Sequence, residues 1–268
     1  MQLFEQRIDK FKKLNALREN NHLWEKCAFQ VVLCAHNEER ALPSTIASIE
    51  RSMRGLKRGM VFGDDGSTDN TTKVVESLSE LSDADFYRVE TMEKMPNVSI
   101  AKNALCKITK EYSEEYPGIL FCDADDFVER DKVPGLHEVA KENNSNIVVG
   151  SWVYNNEKLK KKELKSAQES IEILTFGPWN TLIHSSLIPD DGIFWNEELE
   201  AHADLLMWWE LAAAGVKFTE AGHVTTTQYN AHFGSTSKQS RVDIKQERWK
   251  KFLKYKEEVI NYMKLKDS

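Results

Sequence analysis

The sequence is short of the residues that would place it in several common protein classes. Its 268 residues include four cysteines, which form no CxxC pair or other metal-ligand spacing, so a zinc module or a disulfide framework is excluded. No window approaches the roughly 18 consecutive apolar residues of a membrane-spanning helix, and the charged N-terminus lacks the apolar core of a signal peptide. We therefore expect a cytoplasmic protein with reduced cysteines, and peripheral membrane contact stays open.

An excess of basic residues is also missing. The formal net charge is -7, with 36 Lys and Arg against 43 Asp and Glu, and the two signs are interspersed. No overall positive field predicts nucleic-acid binding. Two lysine-rich segments, "EKLKKKELK" and "KQERWKKFLKYK", could still form a local basic surface that binds nucleic acid.

What the sequence does contain is a regular alternation of apolar runs and amphipathic stretches. "FQVVLCAHNEE", "GMVFGDDGS", "FYRVET" and "GILFCD" have strand character, and each is followed by a stretch with helical spacing. This alternation predicts an α/β fold, with a mostly parallel sheet flanked by helices. We expect a single domain over residues 1–268, whose first half, about 27–130, precedes a second half, about 131–240, and a C-terminal helix, 241–268.

Acidic and polar residues gather where three of the predicted strands end. The clusters are "AHNEE", "DDGSTD" and "DADD". In an open α/β sheet, ligands bind beyond the carboxyl ends of the strands, where these clusters would meet. Carboxylates that close together repel each other unless a cation lies among them, and Mg²⁺ or Mn²⁺ bound by one or two carboxylates and a diphosphate would neutralise them.

The alternative for any one cluster is structural. Acidic and hydroxyl residues after a strand often form turns and helix N-caps. We predict Ser67 or Thr68 as the N-cap of the helix in "DDGSTDNTTKVVESL".

The three motifs together, in this order and spacing, resemble the nucleotide-sugar-binding half of a family-two glycosyltransferase of the GT-A fold. The resemblance covers about the first 130 residues and rests on "QVVLCAHNEERALPSTIASI", "VFGDDGSTDNT" and "LFCDADDF". It implies that a nucleotide-diphosphate sugar, with UDP as the expected nucleotide, binds at the strand ends. The implied donor-binding residues there are Cys34, His36, Glu38, Asp65, Lys102, Asp123 and Asp125.

The resemblance also implies how these residues divide the work. Asp65 would bind the base edge, and Asp123 and Asp125 would flank the ribose and the metal. Asp125 or Asp126 would ligate the ion. Lys102, in "SIAKNAL", stands with Asn103 where the family often has "ARN", and a lysine gives up the bidentate fork of an arginine.

The second half would bind the acceptor and supply a general base. Family members usually carry an "ED" pair there, but this chain has Ala203 before Asp204. We predict Asp204 as the base, with Glu200 and His202 as open alternatives, and a helix N-terminal acid as the structural alternative. Trp208 and Trp209 are expected in the core.

Two further segments resemble family sequences. "FGPWNTLIHSSLI" places Trp179 and Asn180 as candidate sugar contacts, and "QYNAHFGSTSK" places His232 as a candidate metal ligand. A hydrogen-bonded structural role is the alternative for each of these three residues.

The resemblance therefore implies a metal-dependent inverting glycosyltransferase. It would use Mn²⁺ or Mg²⁺ to transfer a sugar to a hydroxyl acceptor, and the expected acceptor is a glycan or a lipid-linked saccharide. Two alternatives remain: transfer to hydroxylated bases of nucleic acid, and a non-catalytic nucleotide-binding protein on a degenerate GT-A fold.

Overall fold

The computed structural model describes residues 2–16, 22–154, 177–199, 203–229 and 242–266. Its helices are α1 (Gln2–Ala16), α2 (Leu42–Ser52), α3 (Thr71–Ser79), α4 (Val98–Glu111), α5 (Lys132–Asn143), α6 (Ala203–Ala213) and α7 (Val242–Lys266). Its strands are β1 (Ala28–Ala35), β2 (Lys57–Asp65), β3 (Phe86–Met92), β4 (Gly118–Asp123), β5 (Phe127–Val128), β6 (Ile147–Tyr154), β7 (Thr181–His184) and β8 (Phe218–Tyr229).

The strands form one eight-stranded sheet in the order β3-β2-β1-β4-β7-β6-β8-β5. The first four strands of this order are parallel to one another, and β6 is parallel to β8. Strand β7 runs antiparallel to both β4 and β6, and β5 runs antiparallel to β8. The predicted mostly parallel α/β sheet is therefore confirmed, with an antiparallel strand joining its two parts.

Helices cover both faces because the central strands are apolar on both faces. In β1, Val31 and Leu33 point to a cluster with α2, α3 and α5, whereas Val32 between them points to a cluster with α1, α4, α6 and α7. Successive side chains of a strand alternate between faces, so both layers are built from one short apolar run. Continuous apolar strands of this kind are typical of buried parallel sheets.

Several local predictions can be compared with the structure. Helix α3 begins at Thr71 with Asn70 as its N-cap residue, so the prediction of Ser67 or Thr68 as the cap is wrong. Trp208 and Trp209 are buried, as predicted. Strand β8 includes the polar segment "TTTQY" up to Tyr229.

The cysteines are all free within the described residues. Cys106 and Cys122 are buried, Cys34 is half-buried, and Cys27 is exposed. No helix of the described ranges combines the length and the apolar composition needed to cross a membrane.

Candidate active site

The ends of three parallel strands meet at one edge of the sheet. Cys34 of β1 is level with Gly63 of β2 and with Asp123 of β4, and Ala35 is level with Asp64. Asp65 is the last residue of β2. The two acidic motifs, which end β2 and β4, thus lie at the same edge of the sheet on either side of β1, and we call the group Cys34, Asp64, Asp65 and Asp123 the acidic edge.

Asp64 has a structural role at this edge. It is 2% exposed, and its Oδ1 accepts the backbone N–H of Ser67 at 2.9 Å. Its Oδ2 accepts the hydroxyl of Thr72 in α3. Both carboxylate oxygens therefore stabilise the turn after β2, as the structural alternative for the "DDGSTD" motif predicted.

The loops after β1 and β2 are joined by side chains of both motifs. The Asn37 N–H donates to Ser67 Oγ at 2.9 Å, and Asn37 Oδ1 accepts the N–H of Thr68 at 2.8 Å. The Glu38 N–H donates to Thr71 Oγ1 at 2.8 Å. Ser67 and Thr68 thus join the two loops instead of capping α3, because their partners come from a segment 30 residues upstream.

Acidic side chains extend the same junction. The Glu39 N–H donates to Asp69 Oδ2 at 3.2 Å, and Glu39 Oε2 accepts the N–H of Asn70 at 3.0 Å. Hydrogen bonds to the Asp69 carboxylate, chiefly from Thr71, lower its pKa although burial opposes this. The residues after "AHN" and after "DDG" therefore form one rigid loop pair beside the acidic edge.

Asp65 is also held by the protein at this edge. Its side chain is 4% exposed, its Oδ1 accepts the Met95 N–H at 2.7 Å, and Lys94 Nζ lies 2.5 Å from its Oδ2. The half-exposed Lys94 side chain places a cation beside the carboxylate predicted to bind the base. Sequence reasoning missed Lys94, which lies two residues beyond the end of β3.

Gly66 permits this approach. Its φ of +67° is strained for other residues, and a Cβ at this position would lie 2.6 Å from the Lys94 backbone nitrogen. Glycine therefore lets the turn after β2 pack directly against the segment that carries Lys94.

His36 is exposed directly after β1, and a backbone carbonyl group orients its ring. Its Nδ1 lies 2.9 Å from the carbonyl oxygen of Asp65, which can only accept, so Nδ1 carries the hydrogen. Nε2 is then the acceptor that faces the Asn37 amide nitrogen at 3.3 Å. Glu38, the next predicted contact, is half-buried in the same loop.

Lys102 of α4 supplies the cation closest to Asp123. Lys102 Nζ lies 3.4 Å from Asp123 Oδ1 and 5.1 Å from the centroid of the Trp195 ring. Burial lowers the pKa of Lys102, but Asp123 and, to a lesser degree, Asp204 raise it, and the net shift is upward. The predicted base Asp204 is thus within electrostatic reach of the acidic edge.

Asn103 serves another purpose than Lys102. Its Oδ1 accepts the N–H groups of Phe194 and Trp195 at 3.0 and 2.7 Å, and its Nδ2 donates to the Trp195 carbonyl at 3.0 Å. Asn103 therefore holds the Phe194–Trp195 segment, whose tryptophan ring lies against Lys102. The same Nδ2 also donates to Glu197 Oε1 at 2.8 Å, so the Asn103 amide is directed to the segment around Trp195.

The Cys34 thiol is neutral at physiological pH. Burial raises its pKa to about 12, although Lys102 opposes the shift. Cys34 can therefore border a ligand as a small side chain, but it is not a nucleophile.

The "DADD" motif divides its acids by exposure. Asp123 and Asp125 are half-buried, whereas Asp126 is 1% exposed.

A buried cation, Lys132 of α5, lies near these acids. Burial lowers the pKa of Lys132; Asp126 and Asp123 raise it, but burial dominates and the net shift is downward. Lys132 Nζ also donates to the Trp179 carbonyl at 2.5 Å. Sequence reasoning missed this buried cation, because nothing in "RDKVPG" distinguishes it from a surface lysine.

The donor set at the end of β4 fits a hard divalent cation that is shared with a ligand. In the described part of the chain, no group of three or more His, Cys, Asp or Glu side chains could hold a metal ion. Mg²⁺ and Mn²⁺ need only one or two protein carboxylates when a diphosphate supplies further oxygens, and Asp123 and Asp125 provide them. Of the two predicted aspartate ligands, Asp125 is the more accessible and Asp126 is nearly inaccessible.

Asp204 lies in the first turn of α6 and is half-buried. The partial positive charge of a helix N-terminus favours an ionised carboxylate there. The alternative bases Glu200 and His202 lie outside the described residues, and so does the predicted metal ligand His232. The segment "EKLKKKELK" also lies outside them.

Trp179 and Asn180 differ in what they offer a ligand. Trp179 is half-buried, and its ring packs edge-on against Trp152 with 5.2 Å between centroids. Asn180 is fully buried; its Nδ2 donates to the Gly150 carbonyl at 2.7 Å and its Oδ1 accepts the Gly177 N–H at 3.0 Å. The Asn180 amide thus holds the segment in place, whereas the Trp179 ring is half-buried beside Trp152.

Comparisons with known proteins agree with this arrangement. The model of the family described as glycosyl transferase family 2 matches residues 30–195, which is more than half of the chain. The poly(ribitol-phosphate) beta-N-acetylglucosaminyltransferase TarP of Staphylococcus aureus (strain N315) is 28% identical over 126 residues. That alignment covers 46% of this chain and 36% of TarP, so the chain spans about a third of this relative's length.

Solved structures with the same fold include S. aureus TarS. Its fragment 1–349 in complex with UDP-GlcNAc superposes with a TM-score of 0.67 at 18% sequence identity, covering 80% of this chain and 62% of the fragment. A second crystal structure of S. aureus TarS, not limited to fragment 1–349, superposes with a TM-score of 0.64 at 19% identity. It covers 76% of this chain and 37% of the TarS chain. At this identity the likeness establishes the fold.

Proposed function

The chain belongs to glycosyl transferase family 2, and we propose that it transfers a sugar from a nucleotide-diphosphate donor to a hydroxyl acceptor with inversion at the sugar carbon. The observation that carries the proposal is the convergence at the acidic edge. Strand register brings Cys34 level with Asp123, Lys102 bridges to Asp123, and the electrostatic influence of Asp204 reaches the same lysine.

The donor in this proposal is a UDP-sugar, and UDP-GlcNAc is the first choice because it is the ligand named for the TarS fragment. Asp65 with Lys94 would contact the base, Cys34 and His36 would border the nucleoside, and Asp123 would face the ribose. Asp125 would hold Mg²⁺ or Mn²⁺, which when bound would neutralise charge on the diphosphate leaving group. Lys102 would contact the diphosphate itself.

The acceptor side of the proposal relies on Asp204. Its carboxylate would take the proton of the acceptor hydroxyl as the oxygen attacks the sugar C1 from the face opposite the diphosphate. As the new bond forms, the bond between C1 and the diphosphate oxygen breaks, and the nucleotide leaves. The half-buried ring of Trp179 would pack against a sugar, and its edge-on contact with Trp152 would fix the ring plane.

The acceptor class that we propose is a hydroxyl of a glycan or glycopolymer. The name of TarP identifies poly(ribitol phosphate) as the acceptor polymer of that relative, so it is the first acceptor to test. Among the described residues, no contact favours hydroxylated bases of nucleic acid as the acceptor.

Donor screening tests the proposal directly. The full chain is incubated with UDP-GlcNAc and other nucleotide sugars, with Mn²⁺, Mg²⁺ or a chelator, and with poly(ribitol phosphate), and products are read by mass spectrometry. We expect sugar transfer that the chelator abolishes and that Asp125→Asn lowers about 10²-fold, since the electrostatic stabilisation of a leaving group has this size. The control is Asp131→Asn, at an exposed acid six residues further along the chain, and it should keep activity.

Two results would count against parts of the proposal. Absence of both transfer and donor hydrolysis with every nucleotide sugar, alongside retained UDP binding, would favour the non-catalytic alternative. Transfer that is insensitive to the chelator would show that the reaction needs no metal ion. Lys102 would then be the main cation at the diphosphate.

A further inference from the structure

A buried ion pair lies outside the acidic edge and has no part in the proposed chemistry. Arg7 of α1 and Glu210 of α6 are 203 residues apart in the sequence, and their side chains are 9% and 0% exposed. Arg7 Nε lies 2.9 Å from Glu210 Oε1, and Arg7 Nη2 lies 2.8 Å from Glu210 Oε2. This bidentate geometry fixes the relative orientation of the two side chains.

Stability alone is a weak reason for such a pair. Removing two charges from water costs about as much as their attraction returns, and apolar residues of similar volume often stabilise a core equally well. A buried arginine fork is better suited to fixing geometry, since its N–H groups point in set directions.

The remaining N–H groups of Arg7 contact one short segment. Nη2 donates to the Phe194 carbonyl at 2.9 Å, and Nη1 donates to the Trp195 carbonyl at 3.5 Å. Asn103 of α4 accepts the N–H groups of the same two residues. The Phe194–Trp195 segment is therefore fixed between α1 and α4.

The network connects at each end to residues of the proposed reaction. The Trp195 ring packs against Lys102, which reaches Asp123. Glu210 lies six residues after Asp204 on α6, a rise of about 9 Å along the helix. One arginine thus connects the helix that carries the proposed base with the segment that supports the diphosphate-side lysine.

We propose that Arg7 and Glu210 are positioning residues that fix Asp204 relative to Lys102 and Asp123. The inference rests on the proposed function, because it assigns the pair to the alignment of acceptor and donor. Misplacement of a catalytic group by about 1 Å can lower a rate about 10²-fold, so loss of the pair should act on the chemical step. Binding of the nucleotide, which depends on the acidic edge, should change little.

The test is the double variant Arg7→Met/Glu210→Leu in the full chain, compared with Arg7→Met alone. We expect the single variant to unfold at lower temperature, because it leaves Glu210 buried without its partner. The double variant should recover most of that stability but retain a kcat about 30- to 100-fold below wild type, with the Kd for UDP within about two-fold.

A matched control lies on the same helix. Lys10 of α1 pairs with Asp191 at 2.6 Å, close to the same segment, but both side chains are partly exposed. Lys10→Gln/Asp191→Asn should leave kcat within about two-fold of wild type, since exposed ion pairs contribute little. A double Arg7/Glu210 variant with wild-type kcat would overturn the inference.

Hydrogen exchange separates this inference from the proposed function. Replacing Arg7 and Glu210 should speed exchange of the backbone amides at 194–199 and 203–208 and leave β1, β2 and β4 unchanged. This readout needs no activity, so it shows whether the pair fixes these two segments even if wild type transfers no sugar. Unchanged exchange in both segments would overturn the inference. If the double variant fails to fold, Arg7→Lys, which keeps the charge but loses the fork, takes its place with the same expectations.

Discussion

The two sides of the proposed crevice hold their acids by different means. At the acidic edge, Asp64 and Asp65 are bound by groups within about 30 residues of them, namely Ser67, Thr72, Lys94 and Met95. On the other side, Asp204 depends on a helix that is fixed by Arg7, about 200 residues away. Local motifs therefore build the donor side, whereas long-range packing builds the acceptor side.

This difference separates binding from chemistry. A change at the acidic edge should alter nucleotide affinity or stability, because its acids are part of the folded turn. A change on the acceptor side should alter the rate while nucleotide binding persists. Four variants or treatments test the comparison, and they are ordered from the largest expected effect.

Asp204→Asn should have the largest effect. An amide cannot accept the acceptor proton, so we expect kcat to fall about 10²- to 10⁴-fold, the usual contribution of a general base. Calorimetric titration should show a Kd for UDP within about two-fold of wild type. The exposed Glu198→Gln is the control on the same side. Activity unaffected by Asp204→Asn would shift the assignment of the base to Glu200 or His202.

Lys102→Met should act on binding. The methionine keeps the apolar stem against Trp195 but removes the charge near Asp123, so we expect the Kd for UDP to rise about 10- to 100-fold. Lys102→Arg should restore much of the affinity, since a guanidinium keeps the charge. Lys107→Gln, an exposed lysine of α4, should change nothing. Equal affinities of the methionine and wild-type proteins would remove Lys102 from the donor side.

Gly66→Ala should have a moderate effect on stability. Alanine is strained at a φ of +67°, and its Cβ would displace the segment that carries Lys94. Gly55→Ala is the matched control, because Gly55 has a φ of +78° but open space around it. Urea unfolding should show a loss of about 1 kcal/mol for Gly55→Ala and a larger loss for Gly66→Ala. Only Gly66→Ala should also weaken UDP binding; the same behaviour of both variants would contradict the role of the turn.

The smallest effect concerns thiol reactivity at the acidic edge. Because burial raises the pKa of Cys34 to about 12, its thiol stays protonated when the pH rises to about 9. Iodoacetamide should therefore label the exposed Cys27 first and Cys34 only slowly, as read by peptide mass spectrometry. Rapid labelling of Cys34 in the folded protein would show a more open edge than the structure has.

Much of the donor side could be predicted from the sequence. Apolar runs followed by "AHNEE", "DDGSTD" and "DADD" predicted parallel strands whose ends meet, and the register of β1, β2 and β4 has that form. The roles within the motifs were harder to predict. Ser67 and Thr68 were expected to cap α3, but Ser67 Oγ accepts the backbone N–H of Asn37 and the Thr68 N–H donates to the Asn37 side chain. Spacing along the sequence does not reveal such partners from another loop.

The acceptor side could be predicted only in outline. "LLMWW" indicated a buried helix, and Trp208 and Trp209 are indeed in the core. The charged residues that matter there were not visible, since Arg7, Lys132 and Glu210 look like ordinary surface residues of amphipathic helices. Their burial follows from which helix packs against which strand, and this depends on the whole topology.

The sequence by itself determined the α/β class, the family and the place where the acids gather, because strand periodicity and strand-end motifs are local and follow directly from chain order. Tertiary structure decided how deeply each acid is buried and which groups of the protein lie beside it. In the folded protein both carboxylate oxygens of Asp64 accept hydrogen bonds, Asp125 is half-buried, and Arg7 contacts Glu210. Solvent exclusion and hydrogen-bond partners are properties of packed neighbours, and those neighbours lie up to 203 residues apart in the chain.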